Sequence, residues 1–252
     1  MQQEFKYADL LDDDVFKLVF GQESSKDVMI EFLNQVIEDR NIVGLTFIDK
    51  EMKSINREKK DSIYDMACDT DDGSRIVVEV QRRKQATYVE RTIYYSTFQV
   101  RNQVNAGSDA YAFCPVYVIN ILDFNLDENK DNPDVRTVYR LHEEKTHVQL
   151  TDKLTFICLE LKKFNKTEEE LDGNILEGMY VCLKNMAKLS ARPKALAHEV
   201  FRKMFHICEL INMDEVTRFK VITKMTTERD LRNQMAYAKQ EAIAEGLAIG
   251  HA

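Results

Sequence analysis

Apolar positions along this chain follow two periods, and the change between them divides it. Near the N-terminus the period is helical. Asp12-Asp13-Asp14 precedes VFKLVF, a short apolar-periodic helix with carboxylates at its start. Val28, Phe32, Leu33 and Val36 then predict a second helix over about 24–40. Runs rich in β-branched and aromatic residues follow: a strand around 42–48, then DSIYDMACDT (61–70) and RIVVEVQ (75–81). A helix over about 86–105 leads into PVYVINILDF (115–124), a strongly apolar strand, and further strands fall at 135–141 and 154–161. Beyond these the pattern is helical, and Gly246 breaks a fraying terminal helix. The order describes an α/β (α+β) sandwich with a central mixed sheet, because the 61–81 hairpin is antiparallel.

The hairpin concentrates the candidate chemistry. Side chains alternate faces along a strand. Ile76, Val78 and Val80 therefore share a core face, while Val77, Glu79 and Gln81 share the other. On the preceding strand, Ile63, Asp65 and Ala67 form one face, and Tyr64, Met66 and Cys68 the other. With Asp71-Asp72-Gly73 as the turn and Gly73 in its left-handed position, Thr70 pairs with Ser74 and Asp65 falls opposite Glu79. Opposed Cβ atoms lie about 4.5–5.5 Å apart, and a slip of one residue would separate the two carboxylates. Two like charges so close repel unless a divalent cation neutralises them. Magnesium suits two carboxylates plus a backbone carbonyl, here that of Val80. An ordinary exposed hairpin with acidic outer positions would show the same spacing, so both readings stay open here.

Residues at the rim extend the pattern. Asp13 either adds a carboxylate or caps the first helix, a task open equally to Asp12 or Asp14. In the helix after the hairpin, Val89, Ile93, Val100 and Val104 form an aliphatic stripe expected on the sheet. Tyr88, Arg91, Tyr95 and Asn102 lie opposite, where Arg91 could meet phosphate with Tyr95 beside it. Arg82-Arg83-Lys84 leaves the hairpin as a cationic run, either phosphate-binding or simply solvated.

Composition narrows the classes. With 44% apolar residues and three prolines, the chain can bury a core. No stretch suits a membrane span, and the acidic N-terminus lacks the features of a targeting peptide. Five scattered cysteines without C-x-x-C read as buried free thiols of a cytoplasmic protein. The net charge of -8 opposes bulk coating of nucleic acid. Residues 50–101, however, hold eleven basic and nine acidic side chains, so this stretch is +2 and the remainder -10. Asp123, Asn125 and Asp127 begin a calcium-loop spacing, but Glu128 stands where glycine is required. His142 and His147 fit no zinc motif, and no G-x-S-x-G or P-loop occurs.

Several segments in order resemble a known family. Asp13-Asp14-Val15-Phe16-Lys17 resembles its opening motif. Tyr64-Asp65-Met66 followed by Val78-Glu79-Val80-Gln81 resembles the catalytic hairpin of the PD-(D/E)XK nuclease superfamily. Arg91-x-x-x-Tyr95, Gly107-x-x-x-Tyr111 and Pro115-Val116-Tyr117-Val118-Ile119 resemble the following helix, loop and strand, and the closing Ala-Glu-Gly resembles the family's tail. More specifically, the chain resembles the recombination-promoting nuclease and transposase family, where glutamine commonly takes the lysine position.

The resemblance implies a restriction-endonuclease-like αβββαβ core over 1–163, followed by a helical region over 164–252. It implies Mg2+-dependent (or Mn2+-dependent) hydrolysis of the DNA backbone and a role in promoting recombination, with RNA and a homodimer left open. Asp65 and Glu79 take the metal-ligand roles, joined by Val80 and Asp13. Gln81 stands near the nucleophilic water; Arg82, Arg83, Lys84, Arg91 and Tyr95 remain the candidate nucleic-acid contacts read from the residues themselves, beside the plainer readings of solvated charge and packing. A glutamine amide can orient water or phosphate but brings no charge. The rival expectation is a nuclease-fold module that binds nucleic acid or protein without cutting.

Overall fold

A three-layer arrangement follows from strands that are apolar on both faces. The computed structural model describes residues 5–48, 51–52, 62–104 and 111–250. Its helices are α1 (Asp13–Phe20), α2 (Lys26–Val36), α3 (Tyr88–Arg101), α4 (Ile175–Asn185), α5 (Glu199–Cys208) and α6 (Glu215–Gly250). Its strands are β1 (Leu45–Phe47), β2 (Glu51–Met52), β3 (Ser62–Ile63), β4 (Met66–Thr70), β5 (Arg75–Gln81), β6 (Val116–Leu122), β7 (Arg136–Arg140) and β8 (Leu154–Glu160). Six of these form one mixed sheet in the order β1-β4-β5-β6-β8-β7, with β5, β6 and β8 parallel and the other pairings antiparallel. The central β6 is buried at every position, as its continuous apolar sequence requires.

One sheet face carries the main core. Met66, Cys68, Ile76, Val78, Ile119, Ile121 and Leu159 pack there against Phe16, Phe20, Phe32, Met179 and Phe201. Residues 164–250 contribute α4, α5 and α6, and α4 and α5 bury their apolar sides in this same core as α1 and α2. Gly178 lies so close to Phe201 and Leu196 that a Cβ would collide with both. Any larger residue there requires the Phe201 ring and the Leu196 side chain to shift.

The hairpin register is the one its turn dictates. Gly73 has φ 83°, the Thr70 N–H donates to the Ser74 carbonyl at 2.9 Å, and Met66 pairs with Val78. Asp72 accepts from the Ser74 N–H at 3.0 Å and from the Thr70 hydroxyl, which rigidifies the turn. Asp71 instead accepts the N–H groups of Val43 and Gly44 and ties the turn to the segment leading into β1.

Three expectations are corrected. The strand expected over 61–70 breaks: Ser62–Ile63 pairs with Glu51–Met52, the chain bends at Asp65, and β4 starts at Met66. The bend moves Tyr64 to the side of Ala67 and Val77, where strict alternation had put it with Met66. The aliphatic stripe of α3 does not cover the sheet, since Val89 is 39% and Ile93 51% exposed. Tyr88, Thr92, Ser96 and Gln99 are buried instead, because the sheet beneath presents Asn120, Glu79 and Gln81, which need polar partners. Gly246 does not break the last helix, which runs on to Gly250; one glycine among alanines costs only about 1 kcal/mol.

Asp61, Asn105 and Gly107 lie outside the described residues. The cysteines are free; four are buried, and Cys114 is exposed. Among the described residues, no helix is long and apolar enough to cross a membrane.

Candidate active site

The site forms where β4 stops short of its partner. The Thr70 N–H donates to the Ser74 carbonyl, so in this register the next hydrogen-bonded pair beyond Met66–Val78 would join Tyr64 to Val80. The bend at Asp65 removes that backbone acceptor. Asp65 Oδ2 replaces it, accepting the Val80 N–H at 2.6 Å. The carboxylate is thereby held beside Glu79, as the register predicts. The bend is what lets a side chain do the work of a strand.

Glu79 lies in a poor environment for its charge. Its side chain is 14% exposed. Burial first, and the Asp65 carboxylate second, push its carboxyl up to about 8, against the opposing pull of the Arg91 guanidinium. The Asp13 carboxylate adds to the upward shift, which places α1 within electrostatic reach. Asp12, not Asp13, caps α1 by accepting from the Asp14 and Val15 N–H groups, so Asp13 is not spent on capping.

The donor set fits a divalent cation in one specific respect. Glu79 Oε2 is buried and has no hydrogen-bond partner among the described residues, a costly state that a cation would relieve. Among the described residues, no three His, Cys, Asp or Glu side chains converge on one point. A cation here would rest on Asp65 and Glu79 together with backbone and water oxygens, a sparse set of the kind magnesium accepts.

The opposite wall is α3. Arg91 donates to Gln81 Oε1 at 2.6 Å and to Gln85 Oε1 at 2.9 Å, and stands 3.5 Å from Glu79 Oε1. Its guanidinium lies 5.3 Å from the Tyr88 ring centroid and 5.8 Å from that of Tyr95. Tyr95 is mainly a support, packed edge-on against Tyr64, whose hydroxyl donates to the Tyr95 carbonyl. Asn120 on β6 pairs in register with Glu79 and is fully buried; it accepts from the Tyr88 hydroxyl at 2.7 Å and from Thr92. Sequence reasoning passed over Asn120, although one amide inside the apolar run VYVINIL was its signal.

The cationic run is present but engaged. Arg82 pairs with Asp9 at 2.8 Å and donates to the Leu11 carbonyl, which fixes the start of α1 beside the end of β5. Arg83 grips both oxygens of Glu228 on α6 at 3.0 Å, and Lys84 pairs with Asp127. Lys220 and Lys224 of α6 approach Asp14 and hold its carboxyl down to about 2. Between these elements lies a cavity of about 340 Å3 bordered by Asp13, Arg82, Thr223 and Lys224. Nothing in the spacing of the sequence signalled that α6 reaches the rim.

The comparisons with known proteins agree with this geometry. The family model described as PD-(D/E)XK nuclease family transposase matches residues 10–238, most of the chain. No curated protein and no solved structure matches it. PD-(D/E)XK nucleases generally use divalent metals and act on nucleic acid. The sheet, the bent hairpin with its two carboxylates and the extent of the match lead to one conclusion: this chain belongs to the PD-(D/E)XK nuclease family transposases.

Proposed function

We propose that the protein is a Mg2+-dependent endonuclease, transposase-like in its biology, that hydrolyses DNA phosphodiester bonds and promotes recombination. The observation that carries this reading is the buried, unpartnered Glu79 Oε2 beside Asp65, in a chain of this family. Asp65 and Glu79 are the assigned ligands, with the Val80 carbonyl beside them and Asp13 at the edge. A bound divalent ion would supply a polarised phosphodiester and a more acidic attacking water. Asp65, held by the Val80 N–H, keeps one carboxylate fixed before any ligand arrives. Glu79 would give up its proton to solvent on binding a cation, because its carboxyl is poised near neutrality.

The DNA backbone approaches over Arg82, Arg83, Lys84 and Arg91. The first three must exchange carboxylate partners for phosphates. Residues 1–163 carry the chemistry in this proposal, and the helices of 164–252 buttress it.

Plasmid nicking in Mg2+ or Mn2+ tests the proposal. Asp65→Ala and Glu79→Ala should each lower the rate about a hundred- to a thousandfold. A wild type that cuts no faster than these variants refutes the enzyme. It would favour the second reading, a nuclease-fold binding module, to which the already paired cations Arg82, Arg83 and Lys84 lend weight.

A further inference from the structure

We propose that the site's cation is Arg91 on α3, and that Gln81 is the positioning residue that holds it there. The inference rests on the nuclease reading above and changes the part played by the third residue of the Glu-Val-Gln triplet.

Gln81 follows Glu79 by two residues on β5, so its side chain leaves the same face of the strand. A residue there could act directly on water or phosphate only with a free polar end. Both ends of this amide are engaged. Oε1 accepts from Arg91 at 2.6 Å, and Nε2 donates to the Arg83 carbonyl at 2.9 Å. The orientation is forced, because a guanidinium only donates and a carbonyl only accepts. Turning the amide over would oppose donor to donor and acceptor to acceptor. Gln81 therefore spans from the outgoing chain to the helix and spends its oxygen on Arg91.

Arg91 is held on several sides. Gln81 and Gln85 accept from it, Glu79 draws it from 3.5 Å, and the rings of Tyr88 and Tyr95 flank its plane. Its side chain is still 26% exposed. Among the described residues its hydrogen bonds use three of the five N–H groups a guanidinium carries, so donors remain for a phosphate oxygen. A fixed, partly desolvated cation beside the reacting phosphate is the arrangement that stabilises developing negative charge. The strand supplies an amide, and the helix supplies the charge.

An unusual consequence follows for Gln81→Lys, which converts the triplet to Glu-Val-Lys. Where the strand residue itself provided the charge, that change would improve the enzyme. Here it sets an ammonium against Arg91 and removes the acceptor that holds it, so activity falls. Arg91→Gln in the same chain relieves the conflict.

The test measures single-turnover plasmid cleavage in Mg2+ for wild type, Asp65→Ala, Arg91→Gln, Arg91→Lys, Gln81→Lys and the double variant Gln81→Lys/Arg91→Gln. It also follows phenylglyoxal modification of Arg91 by peptide mass spectrometry without metal or DNA. Arg91→Gln should slow cleavage about a hundredfold, Arg91→Lys less, and Gln81→Lys about tenfold, with the double variant regaining about tenfold over Arg91→Gln. Phenylglyoxal should modify Arg91 several times faster once Gln81 is replaced. Gln81→Met, neutral and of similar length, provides that rate if Gln81→Lys does not fold. Gln81→Lys cutting as fast as wild type, or an unchanged phenylglyoxal rate in an active enzyme, overturns the inference alone. A wild type no faster than Asp65→Ala overturns the nuclease reading and the catalytic role of Arg91 with it, while the phenylglyoxal rates still decide whether Gln81 holds the guanidinium.

Discussion

The two ends of one sheet face of the β4–β5 hairpin carry cross-strand pairs of opposite kind. At the turn end, Asp69 faces Arg75, and the guanidinium meets the carboxylate through two bonds of 2.7 and 2.9 Å. Ala67 and Val77 form an apolar step between the ends. At the open end, one step beyond the last paired residues, Asp65 and Glu79 bring two carboxyl groups together, with the Arg91 guanidinium 3.5 Å from Glu79. The turn end is regular paired strand and the open end is bent at Asp65, and the residues differ in kind: opposite charges that stabilise the hairpin at one end, two carboxyl groups at the other. Two carboxyl groups this close, one of them pushed toward its neutral form by burial, are a cost to stability, and perturbed pairs of this kind cluster at functional sites. In the proposed reading the turn end serves the hairpin and the open end the ligand.

The contrast can be broken most strongly by pH. In the metal-free protein Glu79 holds its proton up to about pH 8 when folded, against an ordinary value of 4.5. Between these values the folded state binds more protons than the unfolded one. The Glu79 contribution is therefore full below about pH 4.5 and is lost as pH rises through 8. The loss should be on the order of a few kcal/mol. Urea midpoints measured from pH 5 to 8.5 should show the decline in wild type and lose it in Glu79→Gln. A slope that survives the substitution belongs to other groups.

Metal sharpens the same contrast from the other side. At pH 8, Mg2+ at about a hundred times its Kd should raise unfolding stability by about 2.7 kcal/mol. Asp65→Asn/Glu79→Gln should abolish the gain, whereas Asp69→Asn should keep it. Calorimetry with and without the ion reads both. The smallest effect belongs to the turn end: Arg75→Ala should cost about 1 kcal/mol, because Asp69 is half-exposed and its pair is partly screened. Cleavage should stay within about twofold of wild type. A larger loss of cleavage than of stability would show that the two ends are not separate.

Much of the hairpin was legible beforehand because its determinants are local. Asp71-Asp72-Gly73 sets a turn that glycine alone enters without strain, and alternation carries that register five residues on to Asp65 and Glu79. The apolar runs likewise announced β6 and β8. The misplacements share one cause. Tyr64 changed sides because the chain bends at Asp65, and α3 turned its aliphatic stripe outward because the sheet below it offers amides and a carboxylate. In each case the deciding partner lies far away in sequence.

The same division holds for the site. Period-two alternation and turn chemistry act over a few bonds, so the pairing of Asp65 with Glu79 and the placing of Gln81 beside them could be read from residue order alone. The burial that lifts the Glu79 carboxyl, the orphaned Oε2, the Gln81 amide bound to Arg91 and the arrival of α6 through Glu228 and Lys224 all depend on helices packed from remote parts of the chain. Solvation and charge are properties of the closed fold, because water leaves and distant groups meet only when the layers come together.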